Sequence, residues 1–169
     1  MHEDDQIGVA TFATGASLVS KLSADIPTVA ALMERLTIDP KEQRGSTNPG
    51  EGLKRVSEEL LSNRHNPDSR KIAILFTDGL ANAPEKNAEG YATSTAYELK
   101  KKGVDIFTVG LGASVNKKFL EEIASDAQHA FIAPTAGDVD GIYRTITTAI
   151  CEDGPTVIEI VAKPSTSFE

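Results

Sequence analysis

Five apolar residues, Ile72-Ala-Ile-Leu-Phe76, run without interruption into Thr77-Asp78-Gly79. A strand that is apolar on both faces must be covered on both faces, as strands are in parallel sheets sandwiched between helices. The rest of the chain fits this demand, because short apolar runs alternate with stretches of helical periodicity. Ile7-Gly-Val-Ala-Thr-Phe12 reads as a strand, and after Thr14-Gly15 a second short strand near Leu18-Val19 makes an antiparallel hairpin. Pro27 to Leu36 reads as a helix with Asp25 near its start. A polar loop from Asp39 to Asn48 leads into a helix ending near Asn63, with Leu53, Val56, Leu60 and Leu61 on its apolar face. Beyond Phe76, the pattern predicts a helix over Tyr91–Lys102 stopped by Gly103, a strand over Val104–Val109 and a helix over Lys117–Ala124. A strand over Ala130–Ala133 and a last helix over Val139–Ile150 follow. The fold class is therefore α/β: a Rossmann-like, doubly wound, mostly parallel sheet with one antiparallel edge strand. Ligands of such sheets sit at the carboxyl ends of the strands.

Beyond Cys151 the character changes. Glu152-Asp-Gly-Pro155 reads as a turn or linker, and Val157 to Ala162 as one more strand. Glu159 gives that strand an alternating pattern, which predicts a half-exposed strand lying outside the main sheet. The expected division is one domain over residues 1–151 and, over 152–169, a linker with a candidate first strand of a following β-sandwich module.

Composition excludes several function classes. The net charge is −8 and the one basic run is Lys100-Lys101-Lys102, so nucleic acid is not an expected partner. Those lysines end a helix, where positive charge is favourable. No run approaches the roughly 18 apolar residues of a membrane span, and the opening Met-His-Glu-Asp-Asp-Gln is unlike a signal peptide. His2, His65 and His129 lack metal-ligand spacing and read as surface residues. A single cysteine, Cys151, cannot form an internal disulfide and by itself suits a reduced cytosolic thiol.

The informative polar residues stand at predicted carboxyl ends of strands. Asp78 follows the Ile72–Phe76 run, and Gly79 permits a sharp turn after it; an Asp-Gly turn without further role is the simpler alternative. Gly45-Ser46-Thr47-Asn48-Pro49 precedes a helix, where Thr47 or Asn48 would serve as N-cap and Pro49 as first helical residue.

Taken in order, these segments resemble the von Willebrand factor A domain over residues 7 to about 151. Ile7–Phe12 is similar to the family's second strand and Val104–Gly112 to its fifth, with Leu120-Glu-Glu-Ile-Ala-Ser similar to the helix after it. Gly45-Ser-Thr-Asn carries the residue that matches the family's metal-binding threonine, Thr47. Ile74-Leu-Phe-Thr-Asp-Gly79 carries the match to its metal-binding aspartate, Asp78. The resemblance implies a metal-ion-dependent adhesion site with Thr47 and Asp78 as metal ligands. Its cofactor would be Mg²⁺ (or Mn²⁺ or Ca²⁺), hard cations that prefer hydroxyl, carboxylate and water oxygens. An open coordination position would take an acidic residue of a protein ligand, the metal supplying the positive charge.

The family's first strand ends in Asp-x-Ser-x-Ser, which brings an aspartate and two serines to the metal. No such sequence occurs here, so the amino-terminal strand and helix of the family are expected to be missing and metal binding to need them. Lys163-Pro-Ser-Thr-Ser167 imitates the motif with lysine at the aspartate position. The resemblance also implies an extracellular or cell-surface setting, neighbouring domains, and a disulfide partner for Cys151 in that missing segment; an intracellular member would keep the thiol free. Two other functions compete: a structural domain whose metal site has decayed, and a Rossmann-like enzyme using Asp78 as metal ligand or base. Gly-x-Gly-x-x-Gly, Gly-x-x-x-x-Gly-Lys-Ser/Thr and a nucleophile elbow are all absent from the sequence, which disfavours the enzyme.

Overall fold

The apolar run at 72–76 is the middle of a strand whose two faces are buried in different places. In the computed structural model, which describes residues 5–36, 46–151 and 156–162, this strand is Arg70–Thr77. Successive side chains of a strand point to opposite faces. Ala73 and Leu75 accordingly join one apolar cluster with Leu53, Val56, Leu60, Ala92, Leu99, Leu120 and Ile123. Ile72 and Ile74 join a second cluster with Phe107, Val109, Ile146 and Ile150.

In chain order the elements are β1 (Gln6–Phe12), β2 (Ala16–Ser23), α1 (Ile26–Glu34), α2 (Pro49–Leu60), β3 (Arg70–Thr77), α3 (Ala88–Lys101) and β4 (Val104–Leu111). These are followed by α4 (Lys117–Ile123), β5 (Ala130–Ala133), α5 (Ala136–Cys151) and β6 (Thr156–Ala162). Among the described residues, six strands form one sheet in the order β2-β1-β6-β3-β4-β5. The β1–β2 hairpin is antiparallel, as expected, and every other pairing is parallel.

The sequence signals act locally as anticipated. Asp25 accepts a hydrogen bond from the Thr28 N–H at 3.2 Å and caps α1. Asn48 is the N-cap of α2, accepting from the Glu51 N–H at 3.2 Å with Pro49 in the first turn. Gly103 takes φ +76° just past α3, the left-handed conformation that glycine adopts without strain.

Three expectations are corrected. The strand at 157–162 was expected outside the sheet; as β6 it lies at its centre, pairing with β1 from Gln6↔Val157 to Thr11↔Ala162 and with β3 from Arg70↔Thr156 to Phe76↔Ala162. The physical reason is that β1 and β3 would otherwise each present a row of unpaired backbone groups, and one strand satisfies both rows. Glu159 is in register with Gly8 on one side and Ala73 on the other, both small residues. His65, expected at the surface, is buried at 8% exposure, and its Nε2 has no hydrogen-bond partner among the described residues. His129 packs edge-on against Phe107 with ring centroids 4.3 Å apart, and its Nδ1 lies 2.7 Å from Asp126. Lys100 does more than complement its own helix: its Nζ donates to the Glu122 and Ala124 carbonyls at 3.0 and 2.9 Å, closing the end of α4. His2, Gly45 and the segments 152–155 and 163–169 lie outside the described residues, as does the side chain of Cys151.

One buried carboxylate ties α2 to the hairpin. Glu59, 3% exposed, accepts from the Leu22 N–H at 3.3 Å and from Arg64 at 2.6 and 3.1 Å. Burial pushes its carboxyl up, but the Arg64 hydrogen bonds, the Leu22 N–H and the guanidinium charge outweigh that and hold it below the usual value. A group depressed in the folded state stabilises above its unfolded pKa and loses that contribution as pH falls through the folded one. His65 is also depressed, by burial first and by Lys71 second, so the unfolded chain takes up its proton before the native one does. Stability should therefore decline with acidification, first below about pH 6.5 through His65 and again below about pH 4.3 through Glu59. Urea unfolding across pH checks this. His65→Asn should flatten the upper limb. Glu59→Gln should flatten the lower one while costing about 1.5–3 kcal/mol at neutral pH.

Candidate functional site

Three loops meet at the carboxyl edge of the sheet: the β1–β2 turn, the segment before α2, and the segment after β3. Hydrogen bonds sew them together. The Asn48 N–H donates to the Ala13 carbonyl at 2.9 Å, and Asn48 Nδ2 donates to the Thr14 carbonyl at 3.0 Å. Asn48 thus caps α2 and clamps the hairpin turn with one side chain. On the other side, the Thr47 N–H donates to Asn82 Oδ1 at 2.7 Å, while the Thr47 carbonyl accepts from the N–H groups of Asn82 and Ala83 at 3.0 and 3.2 Å. Thr47 is 1% exposed as a result.

Asp78 lies one residue past the end of β3 and is half-buried. The preceding Thr77 is buried; its hydroxyl donates to the Gly79 carbonyl at 3.3 Å, holding the turn that follows. Asn82, four residues after Asp78, is the residue that fastens this loop to Thr47. The structure therefore joins the two loops whose Thr47 and Asp78 the sequence singles out. Sequence reading missed Asn82 and the clamping role of Asn48. The former bond spans 35 residues, and no local pattern announces it.

Behind the edge, α2 and α3 approach closely at Gly50. A Cβ there would fall well inside van der Waals contact with the Tyr91 ring. The Tyr91 hydroxyl donates to Glu51 Oε1 at 2.6 Å, and this hydrogen bond, with burial and the Glu51 charge, pushes the phenol up to about 12. Glu51, in the first turn of α2, is thereby committed to Tyr91.

A profile of the von Willebrand factor type A domain matches residues 1–145. The chain belongs to the von Willebrand factor type A domain family. Bovine matrilin-1 is 30% identical over 112 residues, covering 64% of this chain and 19% of that protein. The human collagen alpha-5(VI) chain is 25% identical over 134 residues, covering 78% of this chain and 5% of that one. The chain thus spans a fifth or less of the length of these curated relatives. Among solved structures, proximal thread matrix protein 1 from the mussel byssus superposes with a TM-score of 0.71 at 27% identity. That match covers 83% of this chain and 35% of the mussel protein, in a structure whose own adhesion-site motif holds zinc.

The donors of this A domain can be weighed against such an ion. Among the described residues, no three His, Cys, Asp or Glu side chains gather as a metal-binding group. Thr47 and Asp78 offer one hydroxyl and one carboxylate, whereas Mg²⁺ takes about six oxygens and parts with its waters reluctantly. The described donor set does not fit a resident Mg²⁺ ion.

The Asn82 clamp makes a direct prediction. Asn82→Ala leaves the Thr47 N–H without its acceptor in a part-buried place and should cost about 1–3 kcal/mol. Asn82→Asp, which keeps the Oδ1 acceptor, should cost less. Urea unfolding of the two variants distinguishes them.

Proposed function

We propose that this chain is an adhesion-type protein-binding module, not an enzyme, and that its carboxyl edge receives an acidic side chain of a partner protein. The observation that carries the reading is the clamp through Asn82, which holds the Thr47 loop against the Asp78 loop at the edge where sheets of this kind bind ligands. The surroundings suit a protein partner. Leu80, two residues from Asp78, is 55% exposed and offers an apolar anchor beside the polar site. An acidic group approaching Asp78 needs a cation between the two carboxylates, because like charges at contact distance repel by several kcal/mol in a partly dry cleft. With a complete set of oxygen ligands that cation would be Mg²⁺ or a similar hard ion. The same reading places the chain outside the cell, within a longer protein, as part of a surface or matrix assembly. No helix among the described residues is long and apolar enough to cross a membrane.

Selection of displayed random peptides on the immobilised chain tests the reading, with Mg²⁺ in the buffer so that a peptide carboxylate can complete the ion's ligand set. The selected peptides should share an Asp or Glu. Asp78→Ala should weaken their capture on the order of tenfold, about 1.4 kcal/mol, and Leu80→Ser should weaken it less. Peptides without a common acidic residue, or capture that survives both substitutions, would favour a purely structural module.

A further inference from the structure

β2 closes one side of the sheet, and among the described residues no strand pairs with its outer side. An edge strand offers a row of unpaired N–H and C=O groups to any chain that can reach it. Most of this edge is guarded. The pairing with β1 runs from Phe12↔Ala16 through Thr11↔Ser17 to Ala10↔Leu18 and then slips, with Val9 opposite Ser20. Val19 is thereby an extra residue, and such a bulge bends and twists the strand away from flat pairing. Further along, Lys21 is exposed and the Leu22 N–H is held by Glu59 at 3.3 Å. Ala16, Ser17 and Leu18 lie before all of these guards. The same three residues wall an open cleft of about 480 Å³, and α2 supplies the opposite wall with Glu51, Lys54, Arg55 and Glu58. Spaced i, i+3, i+4 and i+7, these four side chains share one face of the helix. Both carboxylates are engaged: Glu51 accepts from the Tyr91 hydroxyl, and Glu58 pairs with Arg55. Lys54 is left 4.0 Å from the Glu51 oxygen that Tyr91 already bonds, with 58% of its side chain exposed. The cleft starts beside the binding edge, because Ala16 follows the turn that Asn48 clamps and Glu51 lies in the first turn of the helix that Asn48 caps.

We propose that this cleft receives an extended acidic segment of a partner protein, which adds as a strand to Ala16–Leu18 and sets an Asp or Glu carboxylate against Lys54. Strand addition takes its affinity from main-chain hydrogen bonds and its selectivity from alternate side chains. At about 3.4 Å per residue, Ala16–Leu18 offers roughly 10 Å of edge, enough for about three or four residues of the partner. A second copy of this chain is the wrong occupant. Its own β2, Ala16-Ser-Leu-Val-Ser-Lys-Leu-Ser23, has Lys21 as its one charged residue and would bring a cation to a cation. Two chains with a net charge of −8 each also repel. The proposal rests on the reading of the chain as a protein-binding module and gives its partner a second contact beside the first.

The experiment titrates a peptide of sequence Thr-Glu-Val-Glu-Val-Thr, blocked at both ends, into the isotope-labelled full chain and follows the backbone amides by NMR. Chelator is present, so that no metal-dependent contact contributes. Saturable amide shifts should gather at Ala16–Leu18, with slowed hydrogen exchange there. N-methylation of the peptide backbone, which removes its donors and keeps its side chains, should abolish binding, and so should exchange of both its glutamates for lysine. Lys54→Glu should weaken binding on the order of tenfold. Lys102→Glu makes the same charge change at the opposite edge of the sheet, just before β4 begins, and should leave binding unchanged. Absence of saturable shifts at Ala16–Leu18 up to millimolar peptide, binding that survives N-methylation, or equal binding by Lys54→Glu and the wild type would overturn the proposal. The peptide selection reads Asp78 and Leu80 with Mg²⁺ present, whereas this titration reads Lys54 and the β2 amides without metal, so a failure of one is told apart from a failure of the other.

Discussion

The parallel pairing of β6 with both β1 and β3 is the interaction on which the rest of the structure depends. The chain builds an antiparallel hairpin from its first residues and a parallel three-stranded block from its later ones. Among the described residues, only β6 joins the two blocks within the sheet. Removing it would leave two inner edges with unpaired N–H and C=O groups, each costly when buried. It would also separate the hairpin from the strand that carries Asp78. α2 spans the same seam from above, with Leu53, Val56 and Leu60 in the cluster that includes Phe12 of the hairpin and Leu75 of β3. Glu59 adds a polar fastening from α2 to β2 through Leu22. Backbone pairing and helix packing thus hold the same two halves together, one through the sheet and one across its face.

The site inherits its geometry from that seam. Asn48 is the first point of contact, because its backbone and side chain grip the hairpin turn while it starts α2. Asn82 is the second, because it grips Thr47 from the far side. The loops are therefore fixed to one another by buried or part-buried hydrogen bonds, and the arrangement suits a preformed binding edge better than one that must close around a ligand.

Much of this was legible in the sequence, and the failures have physical causes. The uninterrupted Ile72–Phe76 run, Pro49 after Asn48 and Gly103 after Lys102 each act within a few residues, so local reading succeeds. The α/β class and the antiparallel edge follow from the same local signals. Thr47 and Asp78 could be singled out because each ends or begins an element at a recognisable spacing, and family resemblance linked them. The place of β6 was not legible. The alternation around Glu159 reads as a half-exposed strand, and the deciding factor is the demand of two distant edges with Gly8 and Ala73 beside that glutamate. Asn82, the burial of His65 and the second role of Lys100 were missed for a related reason: the partners or packing that define them lie elsewhere in the chain. Lys100, for instance, finishes a helix that begins 17 residues later.

Residue-resolved amide hydrogen exchange on the full chain tests the central place of β6 most directly. A strand paired on both sides opens only with the whole sheet. The account predicts that the amides of Val157 to Val161 exchange as slowly as those of Ile72 to Phe76, with the same dependence on denaturant. Exchange of 157–161 at the rate of an unstructured peptide, while 72–76 stay protected, would contradict it.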